Sequence, residues 1–257
     1  MFAEGERTVL KLMRDPAHGW RVEREAAALR TLEAEGYPAP RVVETVVVEG
    51  RPGIVMERVE GRDHLAVIGR RPPAVFPAGR SLGRAHVAMH DCAAPPELPD
   101  LHDELRERLE AATALPDDLR RRALVALEGL PRGDRLCHGD LHPGNILGSW
   151  ASPVVIDWGD ATRGDPIADV ARTTVLLRVG VPPPGAPFVV RTLTPLGRRI
   201  LHDGYLAAYR SRRPVDRRLL VRWQVVRAAA RLWEPVPDEH PALLRFLRAT
   251  PADPPAA

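Results

Sequence analysis

The chain reads HGDLHPGN from His138 to Asn145 and IDWGD from Ile156 to Asp160, and these two runs decide its fold. They place a carboxylate at Asp140, an amide five residues later, and a second carboxylate at Asp157, twelve residues beyond the amide. Such a set is typical of phosphoryl-transfer sites, where one carboxylate accepts a hydroxyl proton and the other two groups hold Mg²⁺. The two runs therefore predict a phosphate-handling site.

Two polar residues occur once each, and both fall where such a site needs them. Asn145 is the only Asn in 257 residues, and Lys11 is the only Lys although Lys and Arg together number 37. Lys11 lies in an apolar run that reads TVLKLM from Thr8 to Met13. An ammonium is a compact point charge, whereas the wider guanidinium fork needs a different cavity. The composition therefore favours Lys11 as a phosphate-binding residue.

The motifs around Lys11, Asp140 and Asp157 resemble those of the aminoglycoside phosphotransferase family, small-molecule kinases that share the protein-kinase fold. The resemblance extends from about residue 9 to about residue 172. It implies an α+β, bilobal protein-kinase-like fold with a small β-rich N-lobe and a larger helical C-lobe. We expect the N-lobe at 1–58, the C-lobe at 59–250 and a frayed tail at 251–257.

The predicted N-lobe is short at its start. Only ten residues precede Lys11, so a full first strand and a phosphate-covering loop do not fit, and we expect a truncated lobe. A strand stub at Met1–Glu4 and a hairpin turn at Gly5 are the most that precede the lysine strand. The remaining elements are a strand at 7–13, a helix at 21–35 that Gly36 ends, and strands at Val42–Val48 and Ile54–Glu57.

The C-lobe is predicted to be helical apart from one insert that carries the motifs. Helices are expected at about 75–91, 101–113, 117–129, 166–178, 197–211, 215–232 and 241–248, with a loop at 181–185. The insert at 134–158 reads as strand, loop, strand and strand. Asn145 begins one of these strands and Asp157 follows another, so a hairpin would bring both side chains to the same end.

Three residues of the insert are the candidate reaction centre. Asp140 is the candidate general base, because Gly139 and the following Pro143-Gly144 favour a tight, preformed loop. Asn145 and Asp157 are the candidate Mg²⁺ ligands. Mg²⁺ favours hard oxygen donors and takes few from the protein, which leaves positions for phosphates and waters.

Glu25 is the candidate partner of the lysine. On its helix it shares a face with Leu29 and interrupts an apolar stripe, so its carboxylate needs a cation. Lys11 on the adjoining strand is available, and Glu23 is the alternative partner. The pair would hold the ammonium toward the phosphates of ATP or GTP. The base of the nucleotide would lie against the backbone from Glu57 to Val59.

The resemblance also implies two supporting residues. His138 would pack beneath the Asp140 loop, and Asp169 would support the backbone of that loop. An acid that merely favours the helix dipole in the first turn is an equally good interpretation of Asp169. His142 receives no role.

Two other classes of protein stay open. The pattern His138-x-Asp140-x-His142 suits a Zn²⁺ hydrolase, although such an enzyme has no use for Lys11, or for Asn145 at its interval. A nucleotide-binding protein without catalysis would follow from a missing phosphate-covering loop.

Composition limits the partners. The formal net charge is +3 and the Arg residues are scattered among acids, so nucleic acid is not expected as a partner. The sequence shows no apolar run of the ~18 residues that a membrane span needs and no signal peptide, which predicts a cytoplasmic protein without membrane contact. Cys92 and Cys137 are expected to be reduced thiols. The oligomeric state is open.

The expected acceptor is a hydroxyl of a small molecule, an aminoglycoside or another hydroxylated metabolite. A cationic acceptor needs an acidic pocket. The C-terminal half offers four acids to such a pocket and is otherwise rich in Arg: Asp203, Glu234, Asp238 and Glu239. That balance does not favour a strongly cationic acceptor.

Overall fold

The computed structural model describes residues 2–3, 7–179 and 195–251. The N-terminal part is an antiparallel sheet of four strands in the order β1-β2-β4-β3, against which one helix packs. Its elements are β1 (Phe2–Ala3), β2 (Thr8–Leu12), α1 (Trp20–Ala34), β3 (Val42–Val48) and β4 (Arg51–Glu57). The predicted order of strand, helix, strand and strand is confirmed. The stub β1 pairs with β2, while the predicted turn at Gly5 lies outside the described residues.

The hairpin between β3 and β4 shows why β4 begins earlier than predicted. Val48 pairs with Arg51, so only Glu49 and Gly50 form the loop, and both have positive φ (52° and 75°). Two such residues form the tight turn that matches the twist of a hairpin. β4 therefore starts at Arg51 rather than at the predicted Ile54.

The C-terminal part is mainly helical and carries two small two-stranded sheets. The helices are α2 (His64–Arg70), α3 (Val75–Met89), α4 (Leu101–Ala111), α5 (Asp117–Glu128), α6 (Pro166–Val179), α7 (Pro195–Arg210), α8 (Arg217–Arg231) and α9 (His240–Ala249). The strands are β5 (Arg135–Cys137), β6 (Ile146–Gly148), β7 (Pro153–Val155) and β8 (Thr162–Gly164), paired as β5-β8 and β6-β7. The predicted α+β, kinase-like fold is confirmed.

Two elements were not predicted. α2 has seven residues and depends on the side chain of Asp63, which accepts the N–H of Ala66 at 2.8 Å. β8 has three residues and forms only because β5 lies beside it. Both elements are too short for a hydropathy period to show, and β8 depends in addition on its tertiary neighbour. The predicted loop at 181–185 lies outside the described residues.

α3 and α7 approach each other backbone to backbone. A Cβ atom on Gly79 would lie 2.5 Å from the carbonyl oxygen of Leu201, and one on Gly83 would overlap that of Tyr205. Glycine at both positions therefore allows the close approach. It brings the later residues of α3 within hydrogen-bond reach of two tyrosines on α7.

Within the described residues, no helix combines the length and the apolar character needed to cross a membrane.

Candidate active site

The loop from His138 to Asn145 connects β5 to β6 and is held from below by a buried histidine. The His138 ring donates from Nε2 to the carbonyl of Ile156 (3.0 Å), and its Nδ1 accepts the N–H of Asp140 (3.2 Å). It packs on Trp158 with ring centroids 4.6 Å apart. Gly139 has φ +80°, and a Cβ there would overlap the carbonyl of Asp160. Both features fix where Asp140 stands.

Asp169 lies one turn into α6 and binds the same loop. It is fully buried, and its two oxygens accept the N–H groups of His138 (2.6 Å) and Gly139 (3.0 Å). Burial alone would raise the pKa of this carboxyl, but hydrogen bonding from His86, with His90 close by, holds the pKa well below its usual range. Two equally good interpretations of Asp169 existed, and the geometry matches the one in which it supports the loop.

Two histidines flank Asp169, His86 on α3 and His90 directly after the end of that helix, and they were not predicted from the sequence. His86 Nε2 lies 3.1 Å from the carboxylate and His90 Nε2 lies 3.5 Å from it. The other ring nitrogens meet the hydroxyls of Tyr205 (2.8 Å) and Tyr209 (2.7 Å) on α7. An ionised carboxylate only accepts, so His86 donates from Nε2 and accepts at Nδ1 from the tyrosine. The i, i+4 spacing of both pairs was the available signal.

These histidines bear on the hydrolase alternative. His86, His90 and Asp169 form the one cluster among the described residues with the spacing of a metal site. All three are fully buried, and Asp169 already accepts two backbone N–H groups. His138 and His142, on which the hydrolase interpretation depended, do not form such a cluster with Asp140.

Asp140 is the candidate base, and Arg172 holds one of its oxygens. The carboxylate is 29% exposed, and its Oδ1 accepts from Arg172 at 3.0 Å. The same guanidinium donates from Nε to the carbonyl of Gly139 (2.9 Å). Arg172 was not predicted as a site residue; its position three residues after Asp169 on α6 puts both on one helix face, which was the signal. Oδ2 of Asp140 is not the oxygen that Arg172 holds, and it lies 3.7 Å from His142 Nε2.

Arg172 is buried and stays charged. Burial alone would lower the pKa of its guanidinium, but Glu234 and Asp140 raise the pKa above its usual value. A fixed positive charge therefore lies beside the candidate base.

His142, which had no predicted role, shapes the turn after Asp140. Its Nδ1 accepts the N–H of Gly144 (2.9 Å), and its Nε2 lies 3.7 Å from Asp140 Oδ2. Burial lowers the pKa of His142, against the opposing effect of Asp140. The imidazole is therefore a neutral turn-forming group beside the base.

Asn145 and Asp157 lie at the same end of the β6–β7 hairpin, as the sequence predicted. The carbonyl of Asn145 accepts the N–H of Ile156 (3.0 Å), which closes the ribbon just before Asp157. The Asn145 amide donates to the carbonyl of Asp140 (3.0 Å), so its side-chain oxygen is left for another partner. One expectation was wrong: Asn145 ends a 3₁₀ turn (Pro143–Asn145) and does not begin the strand, because His142 folds the chain there.

Lys11 connects the two halves of the candidate site. Its Nζ lies 2.7 and 3.0 Å from the oxygens of Glu25 and 2.7 Å from Asp157 Oδ1. The predicted pairing with Glu25 is thus present, whereas the alternative Glu23 is exposed. Burial alone would lower the pKa of Lys11, but Glu25 and Asp157 raise it, so the ammonium is charged.

A cavity of about 160 Å³ opens beside Lys11. Its walls are apolar above and below, with Val9 and Met56 on the sheet side and Leu147 on the hairpin side. The segment from Glu57 to Val59, predicted to face a nucleotide base, lines the same cavity. A flat aromatic ring with a polar edge fits such a slot.

The two oxygen donors at the end of the hairpin suit Mg²⁺ better than Zn²⁺. Asp157 has φ +66°, an unusual conformation for a residue other than Gly, and its carboxylate is half exposed. Burial would raise the pKa of this carboxyl, but Lys11 lowers it, so it is ionised at neutral pH. With Asn145 it forms a set of two hard donors that leaves positions for phosphate oxygens and water. No thiol lies in this set, since Cys137 is buried beneath the loop.

The fold and these residues define a protein-kinase-like phosphotransferase. A profile of the phosphotransferase enzyme family matches residues 2–194, and the chain belongs to that family. No curated protein matches the chain in a sequence search.

Solved structures agree on the fold. Aminoglycoside-3'-phosphotransferase of type VIII is 22% identical, with a TM-score of 0.58 over 91% of this chain and 85% of that one. An aminoglycoside phosphotransferase from Streptomyces rimosus, solved with ADP and streptomycin, is 19% identical (TM-score 0.56; 87% and 86%). A choline/ethanolamine kinase family protein from Mesorhizobium loti is 17% identical (TM-score 0.55; 94% and 80%). At these identities the likeness establishes the fold alone.

Proposed function

We propose that this protein transfers the γ-phosphoryl group of ATP or GTP to a hydroxyl group of a small molecule. The observation that carries the proposal is the position of Lys11, whose ammonium touches both Glu25 and Asp157 although 146 residues separate it from Asp157. This joins the lysine strand to the hairpin that holds Asn145. The slot lined by Glu57 and Val59 lies beside the same ammonium.

Each residue takes a role in that reaction. Lys11, oriented by Glu25, neutralises phosphate charge, and the nucleotide base lies against the backbone from Glu57 to Val59. Asn145 and Asp157 would hold Mg²⁺, which would supply positive charge against the phosphates. Asp157 would then give up its contact with Lys11, which keeps its pair with Glu25.

Asp140 orients the acceptor hydroxyl and takes its proton through Oδ2, while Arg172 fixes the carboxylate through Oδ1. His138 and Asp169 hold the loop, so the carboxylate needs no rearrangement before transfer. Positioning and charge neutralisation supply most of the rate enhancement in phosphoryl transfer, and this site is built for both.

Asp140→Asn tests the proposal. The amide oxygen can still accept from Arg172, so the loop is preserved while the proton acceptor is lost. We expect phosphoryl transfer to fall by about 10²–10⁴, with Mg-ATP affinity within about twofold of wild type. Product formation is measured by mass spectrometry over a panel of hydroxylated compounds, and Mg-ATP binding by calorimetry. Asp238→Asn, on an exposed carboxylate, is the matched control.

The outcomes separate the classes of function. Turnover of Asp140→Asn within threefold of wild type would reject Asp140 as the base. Tight Mg-ATP binding without product on any hydroxylated compound would favour a nucleotide-binding protein without catalysis. Absence of Mg-dependent nucleotide binding would reject both.

A further inference from the structure

A line of alternating charges leads away from the candidate base. Arg172 contacts Asp140 Oδ1 at 3.0 Å and Glu234 Oε1 at 2.9 Å. Arg231 then pairs with the other oxygen of Glu234 and binds Glu239 with two nitrogens (2.7 and 3.2 Å). Two of the four acids that the sequence offered to a cationic acceptor, Glu234 and Glu239, are therefore already neutralised by the protein.

The pairs are fixed by burial. Glu239 is buried. The Glu234 side chain is only 19% exposed, although Arg172, its ion-pair partner, also contacts Asp140. Breaking a buried ion pair leaves an uncompensated charge, which is strongly destabilising. A cationic ligand would have to displace Arg172 or Arg231 at that cost to reach either carboxylate.

The other side of the Asp140 loop is balanced in the same way. Asp160, whose carbonyl faces Gly139, pairs with Arg21 (2.5 Å) and lies 3.6 Å from Arg108. Glu104 behind it pairs with Arg108 and with Arg24. Among the described residues, these pairs leave neither sign of charge in excess on this side of the base.

Residues 180–250 offer few carboxylates that could form an acidic pocket. Residues 180–250 contain thirteen Arg and five carboxylates, and the stretch 180–194 contains one Arg and no carboxylate. Of the five carboxylates, Asp203 pairs with Arg199 (3.6 Å) and contacts His202 (3.1 Å), and Asp216 caps α8. Only Asp238 is an exposed carboxylate for which no such pairing occurs within the described residues.

We propose that the acceptor is an uncharged polyhydroxylated molecule, a sugar or cyclitol, and not a polycation such as an aminoglycoside. This rests on the proposed phosphotransferase function and names its substrate class. Paired guanidinium and carboxylate groups still offer N–H donors and lone pairs to hydroxyls, but they offer no net charge to ammonium groups. Trp233, 46% exposed next to Glu234, adds an amphipathic ring at this border.

Gentamicin is the probe for a polycation. We expect wild-type protein, titrated by calorimetry in the presence of Mg-ADP, to bind gentamicin with a dissociation constant above ~1 mM. A micromolar constant would overturn the proposal. A product screen with Mg-ATP should yield phosphorylated sugars or cyclitols, and product on aminoglycosides alone would also overturn it.

Arg231→Gln tests the cause. The substitution removes the ion-pair partner of Glu239 and of one carboxylate oxygen of Glu234. Gentamicin should therefore bind at least tenfold tighter, about 1.4 kcal/mol. Arg248→Gln, which removes the same charge from an exposed position of α9, should leave the affinity unchanged. Equal gentamicin affinity in wild type and Arg231→Gln, with both folded by thermal unfolding, would show that the charge line does not exclude cations.

Failure of the two proposals can be told apart. Gentamicin titration needs no catalysis, and repeating it without Mg-ADP reports on charge even if the protein binds no nucleotide. Loss of the phosphotransferase proposal would show instead as the absence of Mg-dependent nucleotide binding.

Discussion

Asp157 and Asp169 stand twelve residues apart and are both ionised, yet their surroundings are opposite. Asp157 is half exposed, has a positive φ of 66°, and has Lys11 as its ion-pair partner. Asp169 is fully buried in the first turn of α6 and accepts two backbone N–H groups and a histidine. One carboxylate can exchange its partner for a ligand, and the other cannot move without breaking the loop.

The difference separates a carboxylate that is available to a ligand from one that holds the loop. A carboxylate whose partner is a side chain at the edge of a cleft contributes little to stability, since exposed ion pairs are worth about 0–1 kcal/mol. A buried carboxylate with several hydrogen bonds contributes far more, because its removal leaves every donor unpaired. In the sequence, Asp157 and Asp169 are both simply candidate site residues. Their burial in the fold shows which of them can meet a ligand.

The strongest test of this contrast is Asp169→Ala. It leaves the N–H groups of His138 and Gly139 and the ring of His86 without an acceptor, so we expect the free energy of unfolding to fall by about 3–5 kcal/mol. Urea unfolding followed by circular dichroism measures it, with Asp238→Ala as the exposed control. A loss below about 1 kcal/mol would contradict the structural role.

Acidification should lower the free energy of unfolding through the two histidines that flank buried Asp169. Burial lowers the pKa of His86, and it lowers that of His90, next to His86, to about 3. The unfolded chain binds these protons near pH 6.5 while the folded chain does not, so the free energy of unfolding falls as pH drops below about 6.5. Each histidine lowers the free energy of unfolding by up to about 1.4 kcal/mol per pH unit. For His90 the loss between about pH 6.5 and pH 5 is about 2 kcal/mol.

Paired variants isolate that slope. Urea unfolding between pH 7 and 5 should show a shallower pH dependence in His90→Gln than in wild type, whereas His18→Gln, on an exposed histidine, should match wild type. The same slope in all three proteins would mean that His90 is protonated in the folded state, against the arrangement around Asp169.

The smallest effect on stability is expected for Asp157→Asn. Asn tolerates the positive φ, and Lys11 keeps its pair with Glu25, so the free energy of unfolding should stay within about 1 kcal/mol of wild type. Mg-dependent nucleotide binding should nevertheless weaken at least tenfold, about 1.4 kcal/mol, because an ionised ligand is lost. Calorimetry with and without Mg²⁺ measures it. Unchanged Mg-ATP affinity would remove Asp157 from the metal site.

The sequence predicted most elements because their signals are local. The β-branched run of β3 and the glycine at position 36, which has φ +68°, mark the bounds of a strand and a helix without help from distant residues. Asn145 was predicted to begin a strand but ends the 3₁₀ turn before it, because the ring of His142 accepts the N–H of Gly144 and folds the backbone there. A hydropathy pattern does not report a side-chain hydrogen bond of this kind.

The candidate site was predicted only in part. Lys11 and Glu25 were paired because a carboxylate on an apolar helix face needs a cation, and one Lys exists. Arg172 was missed because Arg is frequent throughout this chain, so the residue type does not mark a functional position. The tyrosines of α7 were missed because 119 residues separate each from its histidine.

By itself, the sequence determined the kinase-like order of elements and the residue types of the candidate site, because spacing and composition are written along the chain. The tertiary structure alone decided which charges are neutralised and which remain available. Glu234 and Glu239 are acids in the sequence but lie in ion pairs with Arg172 and Arg231 in the fold. Burial and pairing depend on segments that meet only after folding, and those properties set the chemistry that the acceptor meets.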